Sequence, residues 1–184
     1  MDNGASSYRR FLDGDETGLA EIIKEYNDGL TFYLNSFLGD LNAADELSED
    51  VFVKLGVKKP HFSGRSSFKT WLYAIGRNLA LDHLRKASKS DSISIEDGPE
   101  PAAESDPERE YLREERKIQL HRAMRGLKPE YRQVLWLTYF EGFSTRETAE
   151  VMGKSVHNAE VLASRARQAL RSVLEKEGFF NEDL

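Results

Sequence analysis

The run FKTWLYAIGRNLALDHLRK, from Phe68 to Lys86, decides how this chain is read. It reads as one helix, capped by Ser67 and ending near Ala87. Phe68, Leu72, Ile75, Leu79 and Leu84 supply its apolar stripe. Lys69, Tyr73, Arg77, Asn78, His83, Arg85 and Lys86 are then wholly or partly exposed. Aromatic, amide and basic groups in this density suit opened DNA, because an unpaired base offers both its face and its edge. Arg77 suits a phosphate and Asn78 a base edge. Trp71 reads either as a core residue or as a stacking platform. The loop before the helix, Lys58 to Ser67, carries His61 and Phe62 and can close over a flipped base.

Working outward, the first block is helical. Residues 15–38 carry Leu19, Ile22, Ile23, Tyr26, Leu30, Tyr33, Leu34 and Phe37 near a 3.6-residue period, with Gly18 and Gly29 interrupting it. Residues 42–55 form a second helix, capped by Asn42, with Ala44, Leu47, Val51 and Leu55 as its stripe. Val57 to Ser67 reads as a loop. The stretch 88–107 is rich in Ser, Asp, Glu and Pro, and reads as either a solvated tether or a docked segment. A helix from Pro107 to Arg125 follows, then one from Pro129 to Phe140, ended by Gly142. Ser144 and Glu147 form a capping box for a short helix that Gly153 breaks. Ser155 starts the last helix, to Lys176. No segment reads as a strand. The expectation is an all-α chain of two small domains, 1–90 and 108–184, joined by an acidic linker at 91–107.

Thr145 to Ala166 has helix-turn-helix spacing. Ala149 is small where the helices cross, Gly153 suits the turn, and Val156 packs the start of the second helix into the core. That second helix would present Ser155, His157, Asn158, Glu160, Val161 and Ser164 to a major groove, with Arg165, Arg167 and Arg171 nearer the backbone or the domain surface. His157 and Asn158 can bond base edges, and Glu160 can accept from a cytosine amine. Hairpins of this spacing also occur in proteins that never touch DNA. Residues 144–176 hold six Lys or Arg against four acids, a surplus that predicts weak DNA binding by this part alone.

Composition bounds the rest. The chain has 184 residues, 39% apolar and 10% aromatic, enough for cores. No run approaches the length of a membrane span, and the N-terminus lacks the apolar core of a signal peptide. There are no cysteines and the four histidines are scattered, which excludes disulfides and thiolate metal sites and points to the cytoplasm. The net charge of −6 is concentrated: residues 91–110 hold eight acids and one arginine, leaving the remainder near +1. An enzyme is a poor reading. Asp82 and His83 are adjacent on a helix and diverge by about 100°, so they form no dyad. No HExxH or ExxH motif completes a metal site around Glu46, Glu49 and Asp50. Those acids are either a solvated face or a surface for a basic partner. No catalytic residue, metal or cofactor is expected.

The chain resembles the bacterial sigma factors of RNA polymerase, in the extracytoplasmic-function (ECF) group of the sigma-70 family. The likeness covers nearly the whole chain and is strongest at Ala44–Leu55, Phe68–Lys86 and Leu127–Leu174. It rests on the Phe68–Lys86 run and on Leu127, Pro129, Tyr131, Arg132, Val134, Leu137, Tyr139, Phe140, Glu141 and Gly142. The resemblance implies two helical regions, called two and four. It implies that Glu46, Glu49, Asp50 and Phe52 dock on the clamp helices of polymerase core. It implies that Phe62–Lys86 melts and captures the −10 promoter element, with Arg77 and Asn78 near a flipped base. The linker would thread through the polymerase, and the last domain would sit against the flap and read the −35 element. An anti-sigma factor is an implied partner, and membrane insertion is not. The family usually has valine, lysine, serine, arginine and leucine where this chain has Ala159, Glu160, Val161, Leu162 and Ala163. Leu162 can take the core role of the missing leucine. Glu49 replaces a common glutamine. Two other readings stay open: a helix-turn-helix regulator without an initiation role, and an interaction module with weakened DNA binding.

Overall fold

The structure is a computed structural model that describes residues 3–88 and 120–176. Every regular element among them is helical: α1 (Asn3–Leu12), α2 (Thr17–Leu38), α3 (Leu41–Lys58), α4 (Phe68–Ala87), α5 (residues 120–125), α6 (Pro129–Leu135), a π-helical turn (Trp136–Phe140), α7 (Thr145–Met152) and α8 (Val156–Lys176). The 91–107 linker and the first part of the 107–125 helix lie outside the described residues.

Helix α1 departs from the sequence reading, which placed no helix before residue 15. Its buried face is made of small and aromatic residues, Gly4, Ser7, Tyr8 and Phe11, so no aliphatic stripe announces it. Tyr8 locks it across the fold, donating from its hydroxyl to the Pro60 carbonyl at 2.8 Å. Helix α2 ends where Gly39 turns left-handed at φ 73° and donates to Asn35. Helix α3 is capped by Asp40 rather than Asn42: the Asp40 carboxylate accepts from the Ala43 amide at 3.0 Å. It also runs past Leu55 to Lys58, shortening the expected loop, and closes on Lys59 in the left-handed region.

Helix α4 has the predicted limits. Ser67 accepts from the Thr70 amide at 3.1 Å, and the last turn carries Arg85 and Lys86 against the C-terminal dipole. The helix from Pro129 does not stay α to Phe140. After Leu135 it widens, and the Glu141 amide reaches the Trp136 carbonyl at 3.1 Å, five residues back. The Ser144–Glu147 capping box on α7 and the left-handed Gly153 at φ 62° are as the sequence predicts. In the first turn of α8 the Asn158 amide donates to the Ser155 hydroxyl at 3.2 Å.

The apolar residues form one contiguous core through both halves. Leu30, Val51, Leu55, Phe68 and Leu72 fill the first half, and Val134, Leu137, Met152 and Ala166 the second. Each large aliphatic or aromatic side chain so buried stabilises the fold by about 1.5–3 kcal/mol. The halves meet with α4 against α7 and α2 against α6.

Candidate nucleic-acid interface

Three surfaces were marked by the sequence, and each is built on a different helix. The first is α4 with the loop before it. Asn78, His83, Arg85 and Lys86 are exposed along the distal half of the helix, and His61 is exposed in the loop. Arg85 reaches Asp82 at 2.8 Å, an exposed pair worth at most about 1 kcal/mol and easily exchanged for phosphate. Trp71 is half-buried. Its ring lies 5.5 Å from Tyr8, 5.2 Å from Phe62 and 5.4 Å from Phe68, so it belongs to an aromatic cluster at the edge of the core. Phe62 is pinned in the same cluster, which anchors the loop to α4, and His61 beside it is exposed.

The proximal half of α4 differs from the expectation. Tyr73 is not exposed: it is 1% accessible. Its ring stacks on Tyr33 at 5.4 Å and meets the edge of Phe143 at 5.2 Å. Its hydroxyl donates to Glu141 Oε2 at 2.7 Å. Burial first, and the Glu141 carboxylate second, push the Tyr73 hydroxyl well above its ordinary pKa. Lys69 pairs with the same carboxylate at 2.9 Å, donates to the Glu141 carbonyl at 3.0 Å, and sits over the Phe143 ring at 5.0 Å. Arg77 donates from Nε to Gln133 Oε1 at 2.8 Å. At the head of α4, Ser67 and Thr70 each donate to Glu147 Oε1 at 3.4 Å. The other oxygen of that carboxylate accepts from the Ser144 hydroxyl at 2.7 Å and the Ser144 amide at 3.0 Å. These bonds, the Ser144 hydroxyl foremost, hold the Glu147 carboxyl below its usual range.

Sequence reasoning missed Gln133, Glu141 and Glu147 as partners of α4. They lie 56 to 80 residues further along the chain, where no local period points back to them. Gly29 was also missed, read only as an interruption of α2. A Cβ there would come within 2.6 Å of the Tyr73 hydroxyl oxygen and 3.3 Å of Glu141 Oε2. A glycine in the middle of a long helix was the available signal.

The second surface is α3. Glu46, Glu49 and Asp50 are exposed on successive turns. Phe52, expected on the same face, is 5% accessible and points into the core. It lies two residues past Asp50, about 200° around the helix. Val53 and Val57 take that position instead: both are exposed, at the spacing that continues the Glu46–Asp50 row. Val57, expected in a loop, joins this face because α3 continues to Lys58.

The third surface is α8. Ser155, His157, Asn158, Glu160, Ser164, Arg165 and Arg167 are exposed, and Val161 is half-buried. Val156 does not pack the start of the helix into the core. It is exposed, and Ala159 and Leu162 provide the inward face three and six residues later. Ala149 is buried on the α7 side of the helix pair, as the motif requires. Arg167 reaches the Tyr139 hydroxyl at 3.5 Å. Among the described residues no group of three or more His, Cys, Asp or Glu could hold a metal ion, and no helix is long and apolar enough to cross a membrane.

Fold and surfaces together define an all-α protein of two helical regions, the second carrying a helix-turn-helix. Residues 22–90 match the family model described as Sigma-70 region 2, and residues 117–170 that described as Sigma-70, region 4. The chain is 30% identical over 172 residues to the RNA polymerase sigma-H factor of Pseudomonas aeruginosa, covering 88% of this chain and 89% of that one. It is 26% identical over 170 residues to the ECF RNA polymerase sigma factor SigW of Bacillus subtilis, covering 88% and 91%. Its fold is shared with the sigma factor RpoE solved with the anti-sigma factor NepR from Bartonella quintana, at a TM-score of 0.69, 24% identity and coverage of 85% of this chain and 96% of that one. It is shared as well with CnrH solved with the cytosolic domain of CnrY, at a TM-score of 0.65, 21% identity and coverage of 95% and 96%. The chain belongs to the sigma-70 family of RNA polymerase sigma factors, in its ECF group.

Proposed function

We propose that this chain is a promoter-specificity subunit whose three surfaces act in one initiation complex. Residues 1–90 bind polymerase core and act on the −10 element, residues 108–184 read the −35 element, and residues 91–107 link them. The row Glu46, Glu49, Asp50, Val53 and Val57 on α3 docks on the clamp helices of core: acids steer it to a basic partner and the valines add apolar area. The distal half of α4 and its loop capture the opened −10 strand, Asn78 bonding a base edge and His83, Arg85 and Lys86 the backbone. Helix α8 enters the major groove of the −35 element with His157, Asn158 and Glu160 at its head. The second half also meets the flap of core.

The observation that carries this reading is the exposed amide and basic row on α4 beside the pinned Phe62–Trp71 cluster. A plain helix-turn-helix regulator has no use for that row, nor for the acidic face on α3. An anti-sigma factor is part of the proposal, because a sigma factor of this fold was solved with such a partner. Promoter opening tests the reading. With core and a linear promoter fragment, Asn78→Ala reduces permanganate reactivity of −10 thymines by about tenfold, as expected for one lost base contact, and leaves core binding unchanged. Equal loss of both sinks the assignment of Asn78.

A further inference from the structure

Helix α8 turns most of its apolar residues to the core. Ala159 and Ala166 are fully buried, and Leu162, Leu170 and Val173 pack partly buried against the core. Val156 and Val161 do not join it. Val156 stands at the first position of the helix, but Val161 lies in the second turn. At about 100° per residue, Val161 is about 160° round the helix from Ala159 and about 140° from Ala166, on the face turned away from the core. Its neighbours on that face are polar. His157 four residues before it, Ser164 three after it and Arg165 four after it are all exposed. Val161 is half-buried, one apolar side chain within a rim of imidazole, hydroxyl and guanidinium.

On helix grounds alone a valine is a poor choice for such a place. Its branched Cβ restricts the rotamer against the preceding turn, so it favours a helix less than a straight-chain residue does. An isopropyl group on this face also leaves apolar surface in water. Packing against the core offsets these costs at Val173 but not at Val161. The side chain therefore fits a surface that covers this face from outside. In a helix-turn-helix that surface is the major groove, entered by the N-terminal part of the second helix. Base edges there are hydrogen-bond donors and acceptors with one apolar exception, the 5-methyl group of thymine. A valine over a cytosine amine or a guanine carbonyl would strip water from it and return no hydrogen bond. Over a thymine methyl it buries carbon against carbon. The spacing along the groove also fits. His157 lies about 6 Å and Ser164 about 4.5 Å from Val161 along the helix axis, within about two base steps on either side.

We propose that Val161 is a specificity-determining residue of this chain: it seats the 5-methyl group of a thymine in the major groove, inside the rim of His157, Ser164 and Arg165. This inference rests on the reading of α8 as the helix that enters duplex DNA. It divides the work of that face. The polar side chains hold phosphates and base edges, and Val161 selects one base pair. What it selects is a methyl group, so it distinguishes thymine from uracil, which pairs identically and presents the same acceptor.

Replacing thymine by uracil removes that methyl group alone. The full chain with purified polymerase core selects from a randomised duplex pool, and affinity for the enriched duplex is measured with each thymine replaced singly by uracil. The native chain is expected to lose about fourfold in affinity at one thymine, the effect of one methyl group returned to water. Val161→Thr keeps the branched shape but exchanges a methyl for a hydroxyl. It is expected to lose a similar factor on the thymine duplex and to bind the thymine and uracil duplexes alike, so that the two losses do not add. Val161→Ala is expected to behave in the same way. Thermal melting identifies a variant that has failed to fold, and the other then carries the test. A native chain indifferent to uracil at every position, or a thymine–uracil difference that survives in the folded variants, overturns the proposal and leaves the promoter reading in place. If the chain with core enriches no sequence beyond those that core enriches alone, the promoter reading falls and the role of Val161 falls with it.

Discussion

Tyr73 donates its hydroxyl to Glu141 at 2.7 Å, joining residues 68 apart in the chain at the seam between the two halves. The bond ties the helix proposed to open DNA to the turn that precedes the helix-turn-helix. Burial and Glu141 hold the Tyr73 proton past its ordinary pKa of 10.0. A folded-state pKa raised above the unfolded one gives stability that is complete below about pH 10 and is lost as pH rises further. Thermal melting between about pH 9 and pH 11 is therefore expected to show a steep fall, which Tyr73→Phe makes shallower. Tyr33 and Tyr8, whose pKa values burial also raises, keep part of the slope. Parallel curves for the two proteins would contradict the assignment.

Helix α1 is fixed by close backbone approach. A Cβ on Gly18 would meet the Ser7 carbonyl oxygen and the Phe11 amide nitrogen, neither of which can rotate away. Gly18→Ala is expected to cost about 1–3 kcal/mol of stability, or roughly 2–10 °C in Tm for a chain of this size. Gly14→Ala is the control for backbone conformation alone, since its added Cβ meets nothing within 4 Å although its φ is +102°.

The parts legible in the sequence were those whose signals are local. Ser67 as a cap, the Ser144–Glu147 box and Gly153 as a turn each act within one helical turn, and each was correctly placed. Helix α1 was not legible because tyrosine, phenylalanine, serine and glycine make its buried face. Phe52 falls on the core side of α3, about 200° round the helix from Asp50, and Val57 joins the exposed row because the helix runs past Leu55 to Lys58. Tyr73 could not be placed at all from its neighbours. The spacing of α4 leaves it off the aliphatic stripe, and Tyr33, Phe143 and Glu141, all remote in sequence, close over it.

The corrected α3 face separates stability from docking. Phe52→Ala is expected to cost about 3–5 kcal/mol of unfolding free energy, because it empties a core site. Glu49→Lys with Asp50→Lys is expected to leave stability within about 0.5 kcal/mol, since both side chains are exposed. The double variant is expected to lose affinity for polymerase core, measured by co-elution at fixed salt. If Phe52→Ala melts like the native chain, its placement in the core is wrong. If the charge reversal leaves core binding intact, α3 is not the docking face.

Helix α8 carries an acid, Glu160, near the head of its exposed face. Against duplex DNA that acid opposes the phosphates and limits affinity. Glu160→Lys is expected to raise affinity for duplex DNA and to steepen the dependence of log K on log salt by about one unit. Fluorescence anisotropy across a salt series measures both. An unchanged slope would place Glu160 away from the backbone, as expected if it accepts from a base instead.

Promoter specificity conferred on polymerase core is the proposed activity of this chain. Run-off transcription with purified core and a pool of genomic promoter fragments measures it directly. Discrete RNAs are expected that appear only when this protein is added and that diminish with Asn78→Ala. A chain that binds core stably yet yields the same RNAs as core alone would contradict it.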